Sequence, residues 1–514
     1  MTCYPSQVMD CDNSKVGDDV TATQQETFHI ITMGCSKNRV DSEGMGRVLS
    51  ARGLTEVGHP EDAQVVIVNT CGFLAAARTE SVGMIDQMLG GRRGDQVVIA
   101  AGCMPALPGH AHEIPEGVDA IITTHEWDRI GDVVGGLIDL PDVEITGREG
   151  MLTSFQRVEA GPSAYVKIAD GCDHNCHFCA IPLIKGGQVS KRPSDVIREI
   201  RELADGGTKE VVMVAQDTIR YGADIGIKHG LPKLLQMITE EVPDLPWLRM
   251  LYIYPTPLTL KMVDKLSEHP QLLNYIDMPI QHANKDVLKL MGRPSNPDMT
   301  RRLVDHARNT LDDVTMRTTF IVGHPGETEA AFHELAMYVE EMEFDHVGVF
   351  TYSHEPGTQS ALLGDTVPPE IAEERRDILM EIQQGISYQK NQRRIGQKLD
   401  VLIEGTGEIE DGLGNSEPIS VGRARFHAPE VDGLVFVPGQ LPEGQIVEVT
   451  IEDASPYDLW AAAPNHRVTR RAFKTAKQEA GRREHARSTR PDQAGRLASQ
   501  RDRTRQVIPL VPVK

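Results

Sequence analysis

Hydrophobic residues in the first third of the chain fall in unbroken runs rather than alternating with polar ones. His29–Cys35, Gln64–Cys71 and Gln96–Cys103 each contain such a run, and helical stretches at Val40–Leu49 and Phe73–Leu89 lie between them. Runs without alternation mark strands covered on both faces, so the pattern predicts a parallel α/β sheet. Val118–Ile122 adds a short strand and Trp127–Ile138 a helix, before a Gly-, Pro- and charge-rich linker over Asp139–Gly161.

Beyond the linker, strand-like runs recur at Ala164–Ala169, Glu210–Ala215, Trp247–Tyr252, Asn274–Met278, Thr315–Val322 and His346–Tyr352, separated by helical stretches. The clearest helix takes Ser194 or Asp195 as N-cap, sets Ile197, Ile200, Leu203 and Ala204 on one face, and stops at Gly206-Gly207. Six βα units are too few for an eightfold barrel. They predict a partial, open (β/α)6 barrel with functional groups at the carboxyl ends of its strands. A long helix over Pro369–Arg394 then leads to short strands at Lys398–Glu404, Ser420–His427, Leu434–Val437 and Gln445–Glu452, with Gly405, Gly433 and Gly439 as punctuation. That pattern predicts a small antiparallel β-barrel of OB-like kind.

The 514 residues divide into leader 1–27, sheet domain 28–140, barrel core 158–390, small barrel 391–461 and a basic, disordered tail 465–514. There is no run of about 18 apolar residues, and Met1–Thr27 is polar and acidic, so neither a membrane span nor a signal peptide is expected. The expected compartment is the reducing cytoplasm, where cysteines serve as ligands or small buried residues rather than in disulfides. The formal charge of −22 is uneven: Pro464–Lys514 holds 14 Lys/Arg against 4 Asp/Glu, while residues 1–463 hold 39 against 71. An acidic body disfavours phosphate backbones and favours basic partners.

Three of the eight cysteines, Cys172, Cys176 and Cys179, form a C-x3-C-x2-C loop just after the first barrel strand. Zinc usually takes four ligands and disulfides need an even count, so a lone triplet fits neither. Three thiolates do fit a [4Fe–4S] cluster with one iron left open. Cys35, Cys71 and Cys103 lie 36 and 32 residues apart, each just after a strand of the parallel sheet. The carboxyl ends of such strands share one edge, so these three predict a second three-thiolate cluster. Cys3 and Cys11, on the leader, carry no expected role. Gln216-Asp217, Gln281-His282 and Gly323-His324-Pro325-Gly326-Glu327 follow other barrel strands and are candidates for holding cofactor and substrate, although Asp217 and Glu327 also suit plain helix caps.

The cysteine loop resembles the signature of the radical S-adenosylmethionine (SAM) enzymes. The two triplets, partial barrel and terminal small barrel together resemble the methylthiotransferase family over about residues 28–461. Met33-Gly34-Cys35-Ser36-Lys37-Asn38-Arg39-Val40-Asp41-Ser42-Glu43, Tyr275–His282 and Val347–Ser353 are similar to the RimO type, whose substrate is an aspartate of ribosomal protein S-twelve. Relatives acting on tRNA adenosine tend to have Gln-Met-Asn after the first cysteine. Ser36, Lys185 and His324 depart from the family's usual proline, arginine and phenylalanine. The resemblance implies a radical SAM core, a terminal TRAM barrel, two [4Fe–4S] clusters, and SAM held near Phe178, Gln216, Asp217, Gln281 and Glu327. Phe178 suits either packing near the adenine or a place in the core. The resemblance also implies an electron donor, a sulfur donor and methylthio transfer to the aspartate β-carbon. Lys398–Trp460 holds 13 Asp/Glu and 3 Lys/Arg, which disfavours tRNA and suits a basic ribosomal protein. The rival expectations are the same chemistry on tRNA adenosine and a non-catalytic iron–sulfur electron carrier.

Overall fold

The computed structural model describes residues 26–140, 161–293, 296–364, 366–410 and 416–462. Most of the expected leader and linker, the basic tail, Cys3 and Cys11 lie outside those residues.

Strands β1 (Thr27–Thr32), β2 (Thr55–Glu56), β3 (Val65–Thr70), β4 (Val97–Gly102) and β5 (Ala120–Thr123) pair in parallel in the order β2-β1-β3-β4-β5. Every residue of β3 and β4 is buried, as their unbroken apolar runs require. One face packs on Met45, Leu49, Trp127 and Ile130, the other on Met33, Ile85, Met104 and Ile114. The helix expected over Trp127–Ile138 is shorter, a 3-10 turn at Trp127–Arg129 running into Ile130–Gly135, because Gly135-Gly136 weaken further propagation.

The core carries β6 (Ser163–Lys167), β7 (Ala169–Asp170), β8 (Val189–Ser190), β9 (Glu210–Val214), β10 (Trp247–Met250), β11 (Tyr275–Asp277), β12 (Thr315–Val322) and β13 (His346–Thr351). Strands β6, β9 and β10 form one parallel sheet and β11, β12 and β13 another. A parallel bridge from Leu248 to Leu272 and the Ile253 N–H donating to Asp277 O at 2.8 Å join them into six strands. Among the described residues β6 does not pair with β13, so the barrel stays open. The helix Pro193–Asp205 starts earlier than expected, with Arg192 as N-cap, because proline lacks the N–H that the first helical position leaves unused.

Alternate residues of the barrel strands face different cores. Val211 and Met213 pack under the helices, whereas Val212 and Val214 join Tyr165, Trp247, Leu251 and Tyr275 on the other face. That second core also takes Val40 from the N-terminal domain and Leu402 and Ala428 from the terminal barrel, so all three domains share it. Glu210 opens β9 fully buried, bonded to Arg249 at 2.7 Å and to Arg423 of the terminal barrel. Burial alone would raise its carboxyl, but Arg423 and Arg249 hold it down to about 2. Tyr275 Oη donates to Asp432 at 2.6 Å and Tyr165 Oη to Pro429 O at 3.2 Å. The terminal domain thus engages Glu210 and Tyr275, the first residues of β9 and β11.

That domain is a closed barrel in the order β14-β15-β16-β18-β17, with β14 (Lys398–Glu410), β15 (Ser416–Ala424), β16 (Val435–Pro438), β17 (Ile446–Ala454) and β18 (Leu459–Ala462). Gly405 does not end a strand; it sits at a register shift inside β14, where a glycine accommodates a bulge. Strand β18 was not expected, because four residues after a turn are too few to show a period. It pairs in parallel with β16 and antiparallel with β17, while the other pairings are antiparallel.

Candidate cluster and cofactor sites

Cys35, Cys71 and Cys103 follow β1, β3 and β4 at the carboxyl edge of the N-terminal sheet. Cys35 is the N-cap residue of the helix Ser36–Ala51, and Cys103 opens the short helix Cys103–Ala106. Glycines let the three loops nest. A Cβ on Gly34 would lie 2.8 Å from the Cys71 Cβ, and one on Gly72 would lie 2.7 Å from the Cys103 carbonyl oxygen. Burial pushes the Cys71 thiol up to about 12, with Cys35 and Cys103 adding to the rise. Burial likewise pushes Cys103 up to about 11, against the pull of Lys185. Buried thiols that crowd one another resist ionisation until a cation joins them, so the donor set fits an iron cluster whose binding releases protons.

Cys172, Cys176 and Cys179 lie on the loop after β7. Gly171 takes φ +76° there, and a Cβ on it would meet Gly187 O at 2.1 Å. The Cys172 N–H donates to Gly186 O at 3.0 Å and the Cys179 N–H to Cys176 O at 3.1 Å. Burial pushes Cys172 up to about 11 and Cys179 to about 12. Arg293 Nη1 stands 3.7 Å from Cys176 Sγ and its guanidinium 4.1 Å above the Tyr254 ring, which stacks on His174 at 3.9 Å. These groups border a cavity of ≈ 630 Å³ lined by Asp173, His174, Asn175, Tyr254, Lys285, Lys289, Gly292 and Arg293. Its volume is that of a small-molecule site. Among the described residues no group of three or more His, Cys, Asp or Glu is arranged to hold a single metal ion. A cubane spreads its protein sulfurs over separate irons.

The two cysteine groups meet across a seam. Cys103, Ala106 and Leu107 pack against Ala180 and Ile184, just beyond Cys179. Beneath them Lys167 bonds Asp41 and, at 2.9 Å, Asp170; Lys185 bonds Thr124, Asp170 at 3.0 Å and Asp41 at 3.3 Å. All four charged groups are buried. Burial would raise the Asp170 carboxyl, but Lys167 and Lys185 hold it well below the usual carboxylate range. A second tie joins Arg78 to Glu355 at 2.6 Å, and Glu355 also accepts from the Ala75 N–H at 2.9 Å.

The other predicted residues separate into two kinds. Asp217 accepts from His174 at 2.6 Å and from the Ile219 N–H at 3.1 Å, so it holds the cysteine loop and caps a turn. Glu327 is buried against the Gly323 N–H, Arg375 at 3.3 Å and His282 at 3.4 Å, and Thr328, not Glu327, caps the next helix. Gln216 donates to Asp170 at 2.7 Å, yet its buried amide oxygen has no partner among the described residues. The Gln281 oxygen is likewise buried without a partner among them, on a backbone at φ +76°. Phe178 packs beside Val287, Met291 and Ala331. None of these five lines the 630 Å³ cavity. Lys167, Asp170, Tyr252, Tyr254 and Arg293 were not singled out; the signal for Asp41 was its place in the motif after Cys35, and for Lys185 its departure from the family's usual arginine.

His324 is fully buried, 2.8 Å from Ser360 Oγ and with Nδ1 donating to Pro325 O at 2.9 Å. Burial pushes its pKa down to about 4. The unfolded chain therefore takes up a proton near pH 6.5 that the fold refuses until about pH 4. The stability this residue confers is complete above 6.5 and falls as pH drops through that window, by about 2 kcal/mol at pH 5. His324→Phe is expected to lose about 1 kcal/mol at pH 7.5, from the lost Ser360 bond. Melting curves from pH 7.5 to 5 should show it with a flatter decline than wild type, and an equally steep decline would refute the assignment.

A six-stranded open barrel with a C-x3-C-x2-C loop at its mouth, facing a sheet with a second cysteine trio, defines a radical SAM enzyme with an added domain. The radical SAM superfamily matches residues 166–339, the uncharacterized protein family UPF0004 residues 27–123 and the TRAM domain residues 395–463. The chain is 43% identical to "Ribosomal protein uS12 methylthiotransferase RimO" of Roseiflexus sp. (strain RS-1), covering 84% of this chain and 96% of that one. It is 42% identical to the protein of the same name from Chloroflexus aurantiacus, covering 85% and 99%. Among solved structures, the radical SAM methyltransferase TsrM of Kitasatospora setae, with cobalamin and a [4Fe-4S] cluster, superposes with a TM-score of 0.47 at 16% identity, over 68% of this chain and 78% of its own. The chain belongs to the RimO family of radical SAM methylthiotransferases. It is an enzyme that transfers methylthio groups and uses SAM and [4Fe–4S] chemistry.

Proposed function

We propose that the chain adds a methylthio group to the β-carbon of an aspartate in ribosomal protein S-twelve, with Cys172, Cys176 and Cys179 holding one cluster and Cys35, Cys71 and Cys103 the other. Cys172, Cys176 and Cys179 would hold a cluster that supplies the electron for radical chemistry on SAM, and Cys35, Cys71 and Cys103 would hold one that supplies sulfur chemistry. This chain's residues do the remaining work. Asp217 and Glu327 position the loops, through His174 and the Gly323 N–H. In this reading SAM would meet the amide oxygens of Gln216 and Gln281, which have no partner among the described residues, beside the apolar cluster that Phe178 forms with Val287 and Met291.

One observation carries the choice of a protein over a tRNA. The terminal barrel has three cations against 13 carboxylates between Lys398 and Trp460, and all three are engaged within the molecule. Arg423 is buried between Glu210 and Glu404, Lys398 pairs with Glu448 at 2.7 Å, and Arg425 donates to Pro270 O at 2.6 Å. A phosphate backbone would find none of them unengaged, whereas a basic ribosomal protein is attracted to such a surface. Among the described residues no helix is long and apolar enough to cross a membrane. The reading itself calls for a ribosomal protein substrate in the cytoplasm and for separate electron and sulfur donors.

Mass spectrometry of S-twelve from cells with and without this gene tests the reading. A methylthio mass increment on the aspartate-bearing peptide, present only with the gene, is expected. An unchanged peptide together with altered tRNA adenosine would transfer the activity to the nucleic acid.

A further inference from the structure

The last strand of the terminal barrel, β18, delivers the chain beside a carboxylate-bearing face. Along β17, Val449 and Ile451 turn into the barrel's core, while Glu448, Thr450 and Glu452 alternate with them and are exposed. Strand β14 lies on one side, with exposed Asp400 directly opposite Glu448, and β18 on the other, with Ala462 opposite Thr450. Like charges directly opposite on a sheet repel. Lys398 answers Glu448 at 2.7 Å and Arg425 lies near enough to attract Asp400, but Glu452 makes no ion pair among the described residues. The barrel as a whole is short of cations: 13 carboxylates against three Lys/Arg over Lys398–Trp460 give a net charge of −10.

The stretch that follows carries the opposite charge in the same amount. Residues 464–514 hold 14 Lys/Arg and 4 Asp/Glu, a net of +10. Arg467, Arg470, Arg471, Lys474 and Lys477 all precede its first carboxylate, Glu479. Ala462 sits beside Thr450, and Glu448 and Glu452 stand two residues to either side of that threonine, about 7 Å along the strand. Arg467 is five residues beyond Ala462, a reach of up to about 17 Å. The first arginines therefore meet the face at the effective concentration of a short tether, on the order of millimolar, ahead of any separate molecule.

We propose that the basic segment 464–514 folds back onto the outer face of β14 and β17 and screens it, so that the basic substrate protein must displace the chain's own arginines to dock. The fold-back stands on charge and tether; the competition rests on the protein-substrate reading above. Exposed ion pairs are individually weak, which suits a screen that a basic partner removes. The segment acts on binding and takes no part in bond making.

The test uses the full chain reconstituted anaerobically with both clusters, as wild type and as a tail variant carrying Arg467→Gln, Arg470→Gln and Arg471→Gln. A carbodiimide joins a lysine to a carboxylate only where the two touch. Wild type at low salt should give cross-links from Lys474 or Lys477 to Glu448 or Glu452, at a yield independent of dilution. High salt and the tail variant should each lower that yield roughly fivefold or more. A fluorescent peptide from basic S-twelve should bind the tail variant roughly three- to tenfold more tightly than wild type at low salt, and equally at high salt. SAM cleavage, read on the same samples, should stay at the wild-type rate in the tail variant. Absent cross-links, or cross-links unmoved by salt, would overturn the fold-back. Equal peptide affinity for the two proteins at low salt would overturn the competition. If the cross-links form and neither protein binds the peptide, the protein-substrate reading falls and takes the competition with it, and the fold-back is upheld. A tail without cross-links that instead holds a small-subunit ribosomal RNA fragment, lost in the tail variant, would be a nucleic-acid arm and would overturn the proposal.

Discussion

Cys176→Ala should reduce SAM cleavage to the uncatalysed background, while Cys71→Ala should keep much of the cleavage and lose methylthio transfer. The two cysteines sit on separate domains, one on the loop after β7 and the other at the end of β3, so each substitution removes a thiol from one group only. Each variant, purified under argon, should carry about four irons fewer than wild type, the content of one cubane. 5′-Deoxyadenosine counts cleavage and the substrate peptide's mass counts transfer, so the two functions separate within one reaction. Cys71→Ala that still modified substrate at the wild-type rate would end the idea of a second working cluster. A chain that formed no 5′-deoxyadenosine at all would be an electron carrier instead.

Asp41→Ala should be the most damaging substitution that touches neither a cysteine nor substrate. It leaves Lys167 and Lys185 buried with Asp170 as their one remaining carboxylate. Breaking one side of a buried ion network costs about 3–5 kcal/mol, and a melting transition lower by on the order of 10 °C should show it. Asp41→Ala combined with Lys185→Met restores the balance of charge and should recover part of the loss, since the two groups share one network. Because these residues tie the sheet to the base of the barrel's cysteine loop, transfer should suffer more than cleavage. A single substitution costing under about 1 kcal/mol, or a double variant no better than the single, would show that the network does not hold the seam.

The seam also shows where sequence reading reached its limit. The helix Ser36–Ala51 buries Ser36, Lys37, Asn38, Asp41 and Ser42 alongside its apolar face. A buried polar stripe looks like a solvated one until the partner domain is in place, so the motif after Cys35 gave no hint of which residues face the barrel. Asp217 and Glu327 were legible as polar residues at strand ends, but their partners, His174, Arg375 and the Gly323 N–H, lie up to 48 positions away. Strand positions and the helix Pro193–Asp205 were within reach because apolar periodicity is local. The start of that helix was misplaced because proline at its first position outweighed the expected cap.

By itself the sequence determined the two cysteine triplets, the alternation of strand and helix, and an acidic terminal barrel, all of them set by residue type and local spacing. Only the tertiary structure decided which charges are matched and which are not. Lys167 and Lys185 find carboxylates from two domains, Lys37 finds a tyrosine ring, and the cations of the terminal barrel are spent on the molecule itself. Pairing of charges across domains depends on distances that folding sets, and neighbouring residues along the chain do not record them.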